Sequence, residues 1–315
     1  MPEPVQSLLY TASDRKYGDF LIEHWLPSLL AQRPEGLAIR VLDYGLSLAQ
    51  RYYLEHKGLS VLPCQKDIHV TQARFRDLSA DLHQQKAQVV VLCDSGDIIF
   101  QSEFSELLKS GNKLRVAAED AKSGSEFFLS DEFFSRASLR RIRESTALKP
   151  LLNAGVLAGP PEVFHDLAAW MDKLILNKAK FGPDQVVVNL YAHEQGYDPL
   201  PSEYNFVLAS SERAFRLENG VFLEEETGQV IPIVHNAGHW KFLRPIENFG
   251  FGPSRNSLKP DVLAALRIYH RSLSFLVLRQ EKLNVLVSRL WKQAITEARN
   301  RLGQDRMGQD RTRRS

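Results

Sequence analysis

The stretch VVVLCDSGDIIF (residues 89–100) carries the strongest indication of how this chain folds. Its first residues are apolar and rich in β-branched valine, which is typical of a buried strand in a parallel sheet. The strand ends at Asp94, Gly96 permits a tight turn, and a second acid follows at Asp97. Open α/β sheets bind ligands just beyond the carboxyl ends of their strands, so we expect both carboxylates at a binding site.

The two acids have two competing explanations. Carboxylates within one turn repel each other, and partial burial increases the repulsion. A divalent cation relieves it, and oxygen ligands at this spacing suit a hard ion such as Mg²⁺ or Mn²⁺. A solvated turn with capping acids accounts for the same residues, because short motifs have a high false-positive rate. On this stretch alone, the two explanations have about equal weight.

Length and composition are those of an ordinary globular protein. The chain has 315 residues, of which 43% are hydrophobic and 25% charged, and its formal net charge is +2. This size suits one large α/β domain with additions, or two small domains. The near-neutral charge argues against a dedicated nucleic-acid binder, so we expect no nucleic-acid partner.

Cysteine usage and the N-terminus indicate the cellular compartment. Cys64 and Cys93 are the two cysteines, too few for a disulfide framework, which fits a reducing cytoplasm. The first residues, MPEP, lack a signal-peptide pattern. No apolar run approaches the roughly 18 residues that span a bilayer. We therefore expect a cytoplasmic protein.

Strand and helix patterns alternate before the acidic stretch. The predicted strands are 5–11, 37–42 and 59–62, and the predicted helices are 17–32 and 47–56. This alternation builds a parallel sheet with right-handed crossovers. Neither a glycine-rich dinucleotide fingerprint nor a Walker loop follows the first strand, which disfavours NAD and P-loop ATP chemistry.

The pattern continues beyond the acidic stretch. Residues 121–149 are charged, and we predict that they are irregular. The predicted elements are a helix at 71–85, strands at 114–118 and 151–159, helices at 161–176 and 183–193, and a late strand at 231–234.

The chain changes character beyond Pro260, where two helices are predicted at 262–269 and 273–298. We expect the second helix to pack on its own domain or on a partner subunit. Peripheral contact of the basic C-terminus with an anionic membrane is the minority hypothesis. The predicted division is a main domain at 1–257, a helical extension at 258–301 and a basic, disordered tail at 302–315.

Five short motifs occur along the chain in a definite order. They are Asp94 to Asp97, Asn153-Ala154-Gly155, Asp184-Gln185, Leu200-Pro201 with Tyr204-Asn205, and His235 with Gly238 and Lys241. Their order resembles nucleotide-sugar glycosyltransferases of the GT-A fold, closest to the glycogenin-like and bacterial lipopolysaccharide galactosyltransferase family. The resemblance covers residues 5–245 as motifs in register. It implies a Rossmann-like α/β fold with a mostly parallel central sheet flanked by helices.

The resemblance implies sugar transfer from a nucleotide-diphosphate sugar, most simply a UDP-hexose, with retention. The acceptor would be a hydroxyl on a glycan, a lipid-linked saccharide or a protein. Mn²⁺ or Mg²⁺ would neutralise the charge that develops on the diphosphate. The implied metal ligands are Asp94, Asp97 and His235, with the ribose as the alternative partner of Asp94. A hydrogen-bonded loop histidine is the alternative for His235 taken by itself.

The resemblance also implies the residues around the donor. Asn153, Asp184 and Gln185 would surround the transferred sugar, and Lys241 would donate hydrogen bonds to the leaving phosphate. The resemblance implies that Arg76, on the helix predicted at 71–85, contacts the donor. A small shift in the correspondence would give this role to Arg74 instead. The implied donor-binding residues are Thr11, Ala12, Ser13, Asp14, Tyr17, Arg76, Asp94, Ser95, Gly238 and Lys241.

The acidic motif departs from the family, because it is Asp-x-x-Asp where the family has Asp-x-Asp. The extra residue leaves open which acid binds the metal. An inverting mechanism would need a carboxylate near the acceptor hydroxyl, and Glu119, Asp120 and Asp184 stay candidates for it. The alternative functions are a metal-dependent phosphohydrolase and a non-catalytic sugar-nucleotide binding module.

Overall fold

A computed structural model describes residues 7–120, 128–238 and 245–312 of the chain. A π-helical turn at Leu21–Trp25 connects the first two helices. The elements of the first part are β1 (Ser7–Ser13), α1 (Gly18–Phe20), α2 (Leu26–Gln32), β2 (Leu37–Asp43), α3 (Leu48–His56), β3 (Ser60–Pro63), α4 (Val70–Leu82) and β4 (Val89–Asp94).

The rest of the chain adds shorter strands and the longest helix. The elements are β5 (Ile98–Phe100), β6 (Leu114–Glu119), α5 (Arg136–Thr146), β7 (Leu151–Gly159), α6 (Pro161–Leu174), α7 (Pro183–Gln195), β8 (Tyr197–Leu200), β9 (Phe206–Val207), β10 (Phe215–Glu218), β11 (Val221–Glu224), β12 (Ile233–His235) and α8 (Pro260–Thr312).

Seven strands form the central sheet in the order β3-β2-β1-β4-β7-β6-β8. Strand β1 pairs in parallel with β2 and β4, and β6 pairs in parallel with β8. Strand β7 is antiparallel to both of its neighbours, β4 and β6. The predicted α/β fold with a mostly parallel central sheet flanked by helices is confirmed.

Helices cover both faces of this sheet, which is why its strands are nearly continuous apolar runs. Alternate residues of one strand enter opposite cores: Leu8 packs with α4 and α6 residues, and Leu9 packs with Trp25 and Leu29. All nine residues of β7 are buried. The two cores hold the strand ends rigidly at the edge where the acidic turn lies.

A second, three-stranded sheet has the order β5-β12-β9. Strand β12 is antiparallel to β5 and parallel to β9, so it lies between segments from the middle and the later part of the chain. The hairpin of β10 and β11 packs beside it through Phe206, Phe215 and Phe222. This small sheet brings the late part of the chain onto the acidic turn.

Helix α5 lies inside the segment that the sequence pattern predicted to be irregular, so that prediction was wrong there. Ser135 caps the helix by accepting a hydrogen bond from the Ser138 N–H at 3.1 Å. Only Leu139 and Ile142 of its residues are buried. The apolar stripe is therefore too narrow to stand out among the arginines. Residues 121–127 lie outside the described part of the chain.

The two helices predicted beyond Pro260 are one continuous helix, α8. Proline and glycine, the usual helix breakers, are absent between the two predicted segments, so nothing local ends the first one. The proposed domain limits at 257 and 301, and the tail beyond them, stay predictions. No helix within the described ranges has the length and apolarity needed to cross a bilayer.

Helix α3 begins with a capping box formed by Ser47 and Gln50. The Ser47 hydroxyl accepts from the Gln50 N–H at 3.3 Å, and the Gln50 side-chain oxygen accepts from the Ser47 N–H at 2.9 Å. Ser47→Ala removes the first bond and leaves an N–H unpaired. We expect it to lower the free energy of unfolding by about 1 kcal/mol in urea titrations.

The matched control for this prediction is Ser254→Ala, at an exposed position outside the helices. It is expected to change the free energy of unfolding by less than about 0.5 kcal/mol. Equal effects of the two substitutions would contradict the assigned role of Ser47.

Candidate active site

The acidic turn between β4 and β5 is held by contacts from three directions. The Trp25 indole Nε1–H donates to the Asp94 carbonyl at 3.0 Å, and the Ser95 hydroxyl donates to the Ala12 carbonyl at 2.7 Å. The Tyr17 ring lies against Gly96, where a Cβ would come within 2.8 Å of the ring. The close approach of Tyr17 therefore favours glycine at this position, because a larger residue would have to displace the ring.

His235 reaches the acidic turn because of strand pairing. In the β5–β12 ladder, His235 lies opposite Ile98, the residue after Asp97. The Asn236 N–H donates to the Asp97 carbonyl at 2.8 Å and extends the contact past the end of the strand. The pairing register itself therefore sets the histidine against the acids.

Asp94, Asp97 and His235 form one compact cluster. Their ligand atoms lie within 4.8 Å of one another, with His235 Nε2 at 3.4 Å from Asp97 Oδ1 and 3.9 Å from Asp94 Oδ2. The histidine is buried and both acids are partly exposed. Two carboxylates and one imidazole suit a divalent cation such as Mn²⁺, and partial exposure leaves room for further ligands.

Arg74 is the arginine that reaches this cluster. Its buried guanidinium forms ion pairs with Asp94 Oδ1 and with Asp184 Oδ2, the latter at 3.5 Å. Arg76 instead forms a partly exposed pair with Asp67 and Asp77. Residues two apart on a helix differ by about 200° in direction, so α4 sends only one of the two arginines toward the site.

Asp184 and Gln185 stand in the first turn of α7, close to β7. Asp184 is buried, and burial raises the pKa of its carboxyl although Arg74 opposes the shift. Its Oδ1 has no hydrogen-bond partner among the described residues. The Gln185 side-chain oxygen accepts from the Ala154 N–H at 3.5 Å. The site thus contains a buried acceptor oxygen that a ligand hydroxyl would satisfy.

The residues predicted to bind the nucleotide lie next to the acidic turn, at the end of β1. Ala12 is the register partner of Asp94 across the β1–β4 pair. Thr11 and Ser13 are buried, and the Thr11 hydroxyl donates to the Cys93 carbonyl at 2.7 Å. Tyr17 is partly exposed beside Gly96.

Asp14 is held by Lys66, a residue that the sequence analysis did not single out. The Lys66 ammonium lies 2.8 Å from Asp14 Oδ2, and Asp14 Oδ1 accepts from the Lys16 N–H at 3.0 Å. Partial burial raises the pKa of Asp14, but these donors outweigh burial, and the net pKa is lowered. Nothing in the local sequence distinguishes Lys66 from a surface lysine.

Two predicted donor-binding positions come after His235. Gly238 is exposed and has a φ of +121°, a conformation that favours glycine. Lys241, the predicted phosphate donor, lies outside the described residues. The predicted pairing of this lysine with the acidic cluster therefore stays a prediction.

Two opposing effects act on the pKa of His235. Burial lowers the pKa of its imidazole, but the carboxylates of Asp97 and Asp94 outweigh burial and the net pKa is raised. Its other ring nitrogen, Nδ1, lies 2.8 Å from the side-chain oxygen of Asn205. Asn205 belonged to the fourth motif of the sequence, but the motif itself indicated no contact with the histidine.

This chain matches known proteins among solved structures. Neither the scan against protein-family models nor the search of curated proteins found a match. The galactosyltransferase LgtC, solved in complex with donor and acceptor sugar analogs, is 15% identical with a TM-score of 0.49. This likeness covers 82% of the present chain and 95% of LgtC. An active-site mutant of LgtC gives 14% identity, the same coverage and a TM-score of 0.49.

The apo form of the glycosyltransferase GlyE of Streptococcus pneumoniae TIGR4 was also found. It is 18% identical with a TM-score of 0.48 over 88% of the present chain. The chain spans 63% of the GlyE chain, less than two thirds of its length. LgtC and GlyE are glycosyltransferases, the class of protein that the motifs of this sequence resemble. Because both likenesses are distant, we base the function on the residues of the site.

Gly155 has no side chain, and this leaves the space that the His235 imidazole occupies. A Cβ at this position would lie 2.8 Å from His235 Nδ1, nearer still to Cε1, and 2.9 Å from Asn153 Oδ1. Gly155→Ala would therefore displace the imidazole. We expect it to weaken Mn²⁺ binding at least about tenfold in titration calorimetry, the scale of a disturbed ligand environment.

The control for Gly155→Ala is Gly111→Ala, at an exposed glycine with ordinary space around it. That variant should bind Mn²⁺ like the unmodified protein. Unchanged Mn²⁺ affinity in Gly155→Ala would mean that His235 does not ligate the ion.

The raised pKa of His235 predicts that stability of the metal-free fold depends on pH. Its contribution is fully present below the ordinary histidine pKa of about 6.5 and is lost as pH rises through the higher folded-state pKa. We expect the Tm in EDTA to fall between about pH 6 and about pH 8.5. Because Mn²⁺ competes with the ring proton, it should raise the Tm more at the higher pH.

Thermal unfolding of His235→Gln provides the comparison, since glutamine does not titrate. An Mn²⁺-induced rise in Tm that is the same at both pH values in the unmodified protein would contradict a proton-competitive role of His235.

Proposed function

We propose that this protein is a metal-dependent glycosyltransferase that transfers a hexose from a UDP-sugar to a hydroxyl acceptor, with retention. The acceptor classes that we propose are a glycan, a lipid-linked saccharide or a protein. The two cysteines are free, which supports action in a reducing compartment such as the cytoplasm.

The observation that carries the proposal is the cluster of Asp94, Asp97 and His235 beside a buried acid and arginine. Arg74 joins the cluster to Asp184, because its guanidinium contacts an oxygen of each carboxylate. One guanidinium thus links the cluster that could hold a cation to the buried carboxylate of Asp184. A sugar diphosphate presents the matching groups in the same order: charged phosphates, then a hydroxyl-bearing ring.

When bound, a divalent cation supplies positive charge that neutralises the diphosphate as it leaves. Asp94 Oδ2, Asp97 and His235 Nε2 would hold the ion, since Asp94 Oδ1 is occupied by Arg74. Arg74 has a second role in the proposal. It orients Asp94, because the ion pair to the guanidinium fixes the position of that carboxylate.

Asp184 is the residue that we assign to the transferred sugar. Its unpartnered Oδ1 is buried, so an unpaired acceptor costs free energy until a ligand donor reaches it. A sugar hydroxyl is such a donor. Asn153 has one remaining amide hydrogen for the same sugar, since its side chain already donates to Glu119 Oε1 at 2.8 Å. Gln185 follows Asp184 in the chain, and its side-chain oxygen accepts from the Ala154 N–H beside Asn153.

The surroundings of Glu119 and Asp120, two of the three acids that could serve an inverting mechanism, argue against that role for them and so favour retention. An inverting mechanism requires a carboxylate that is free to take the acceptor proton. Glu119 accepts hydrogen bonds from Asn153 and Ser210, and Asp120 accepts from Ser211 and the Glu212 N–H. Both acids therefore have internal partners of their own.

Substitution of Asp97 tests the proposal. Asp97→Asn removes one of the negative charges that would hold the ion, while it keeps the size of the side chain. We expect Mn²⁺-dependent UDP binding to weaken by at least about 100-fold in calorimetry, the upper end for altered metal sites. Sugar transfer and donor hydrolysis should be lost with it.

Asp172→Asn, at an exposed position in α6, is the matched control and should bind UDP with Mn²⁺ normally. A thermal-shift screen of nucleotide sugars with and without Mn²⁺ would identify the donor, because a ligand that binds the native state raises the Tm. Release of phosphate from simple esters without sugar transfer would instead identify a phosphohydrolase. Nucleotide binding without turnover over a broad acceptor panel would identify a binding module.

A further inference from the structure

A continuous chain of side-chain hydrogen bonds leads from Glu119 to the candidate metal cluster. The Asn153 amide nitrogen donates to Glu119 Oε1 at 2.8 Å. The Asn205 amide nitrogen donates to Asn153 Oδ1 at 2.9 Å, and Asn205 Oδ1 lies 2.8 Å from His235 Nδ1. Asn153, Asn205 and His235 are buried, so water does not replace these bonds.

The direction of every bond in this chain follows from one backbone group. The Gly155 N–H donates to Asn153 Oδ1 at 2.8 Å, and a backbone N–H cannot accept. The oxygen of the Asn153 amide therefore faces Gly155 and Asn205, and its nitrogen faces the Glu119 carboxylate. Asn205 must then present its nitrogen to Asn153 and its oxygen to His235.

The histidine consequently has no choice of tautomer. Because an amide oxygen can only accept, His235 Nδ1 must carry a hydrogen to bond Asn205 Oδ1. A neutral imidazole with hydrogen on Nδ1 has its lone pair on Nε2. Nε2 is the atom that lies 3.4 Å from Asp97 Oδ1 and 3.9 Å from Asp94 Oδ2.

We propose that Asn205 is a positioning residue that fixes His235 in the tautomer with its Nε2 lone pair directed at the cation, and that Asn153 and Glu119 set the orientation of Asn205. This inference rests on the metal dependence in the proposed function. Histidines that ligate metals commonly donate their second N–H to an oxygen that orients the ring and increases its basicity. Here the partner is an amide, and the carboxylate stands two residues further along the chain of bonds.

The local fold explains how Asn205 comes to this position. Asn205 ends a short 3₁₀-helix at Ser202–Asn205, and β9 follows directly and pairs in parallel with β12. In that pairing His235 lies opposite Val207. The backbone of β9 therefore holds Asn205 beside the imidazole independently of its side chain, which allows the side chain to be changed without moving the strand.

Two substitutions of Asn205 separate hydrogen bonding from packing. Asn205→Leu has a similar shape but no acceptor for the Nδ1 hydrogen. We expect it to weaken Mn²⁺ binding about 10- to 100-fold in calorimetry, as loss of such outer partners typically does. Asn205→Asp keeps an acceptor for that hydrogen and should retain far more of the Mn²⁺ affinity. Its second carboxylate oxygen faces Asn153 Oδ1, another acceptor, and we expect this repulsion to lower the Tm.

Asn112→Leu, at an exposed asparagine just before β6, is the matched control and should bind Mn²⁺ like the unmodified protein. Equal Mn²⁺ affinities in Asn205→Leu and the unmodified protein would overturn the proposal. Equal losses in Asn205→Leu and Asn205→Asp, with both variants folded, would reduce the role of Asn205 to packing and would overturn it as well.

The tautomer itself is observable without any variant at position 205. ¹⁵N NMR of the metal-free protein with labelled histidine, recorded over a pH series that ends where one ring nitrogen has lost its hydrogen, separates the two ring nitrogens. His235→Gln assigns the signals. We expect hydrogen on Nδ1 and a pyridine-like Nε2. Hydrogen on Nε2 would overturn the proposal even if Asn205 variants fail to fold.

Failure of the inference differs from failure of the proposed function. If the unmodified protein binds no divalent cation while the ring has hydrogen on Nδ1, the metal-dependent function fails and the hydrogen-bond direction stands. If Mn²⁺ binds the unmodified protein and Asn205→Leu equally, the role of Asn205 fails and the metal site stands.

Discussion

The antiparallel pairing of β5 with β12 is the interaction on which the candidate site depends. It joins the residues directly after Asp97 to the last strand of the chain, β12. In this pairing His235 lies opposite Ile98. The approach of the histidine to both acids follows from this register. A shift of one residue would turn the imidazole to the opposite face of the strand and away from the acids.

Charge balance around the cluster is the second constraint. Two acids and a buried third, Asp184, lie close together, and Arg74 is the buried cation that contacts two of them. Burial of a guanidinium is costly unless it is paired, so Arg74 and the acids stabilise one another. Asp97 lies 3.4 Å from the His235 imidazole, which joins it to the same cluster.

Much of this arrangement was accessible from the sequence because its signals are local. The valine run predicted β4, the helix predicted at 47–56 agrees with α3, and the resemblance carried by the order of the motifs brought together Asp94, Asp97 and His235. Three features had no local signal. Which arginine of α4 reaches the site depends on the rotational position of each residue around the helix. The two buried apolar residues of α5 lie among many charged ones. The contact of Asn205 with His235 forms only when β9 and β12 pair.

Strand β7 has a further consequence for how the molecule is made. It runs against its neighbours, so its beginning, with Asn153 and Gly155, lies at the edge where the parallel strands end. The ring of His235 then occupies the space above Gly155. During synthesis, both acids and the arginine leave the ribosome long before the histidine. The three groups of the cluster therefore come together only once β12 has docked, and the proposed cation site exists only in the finished molecule.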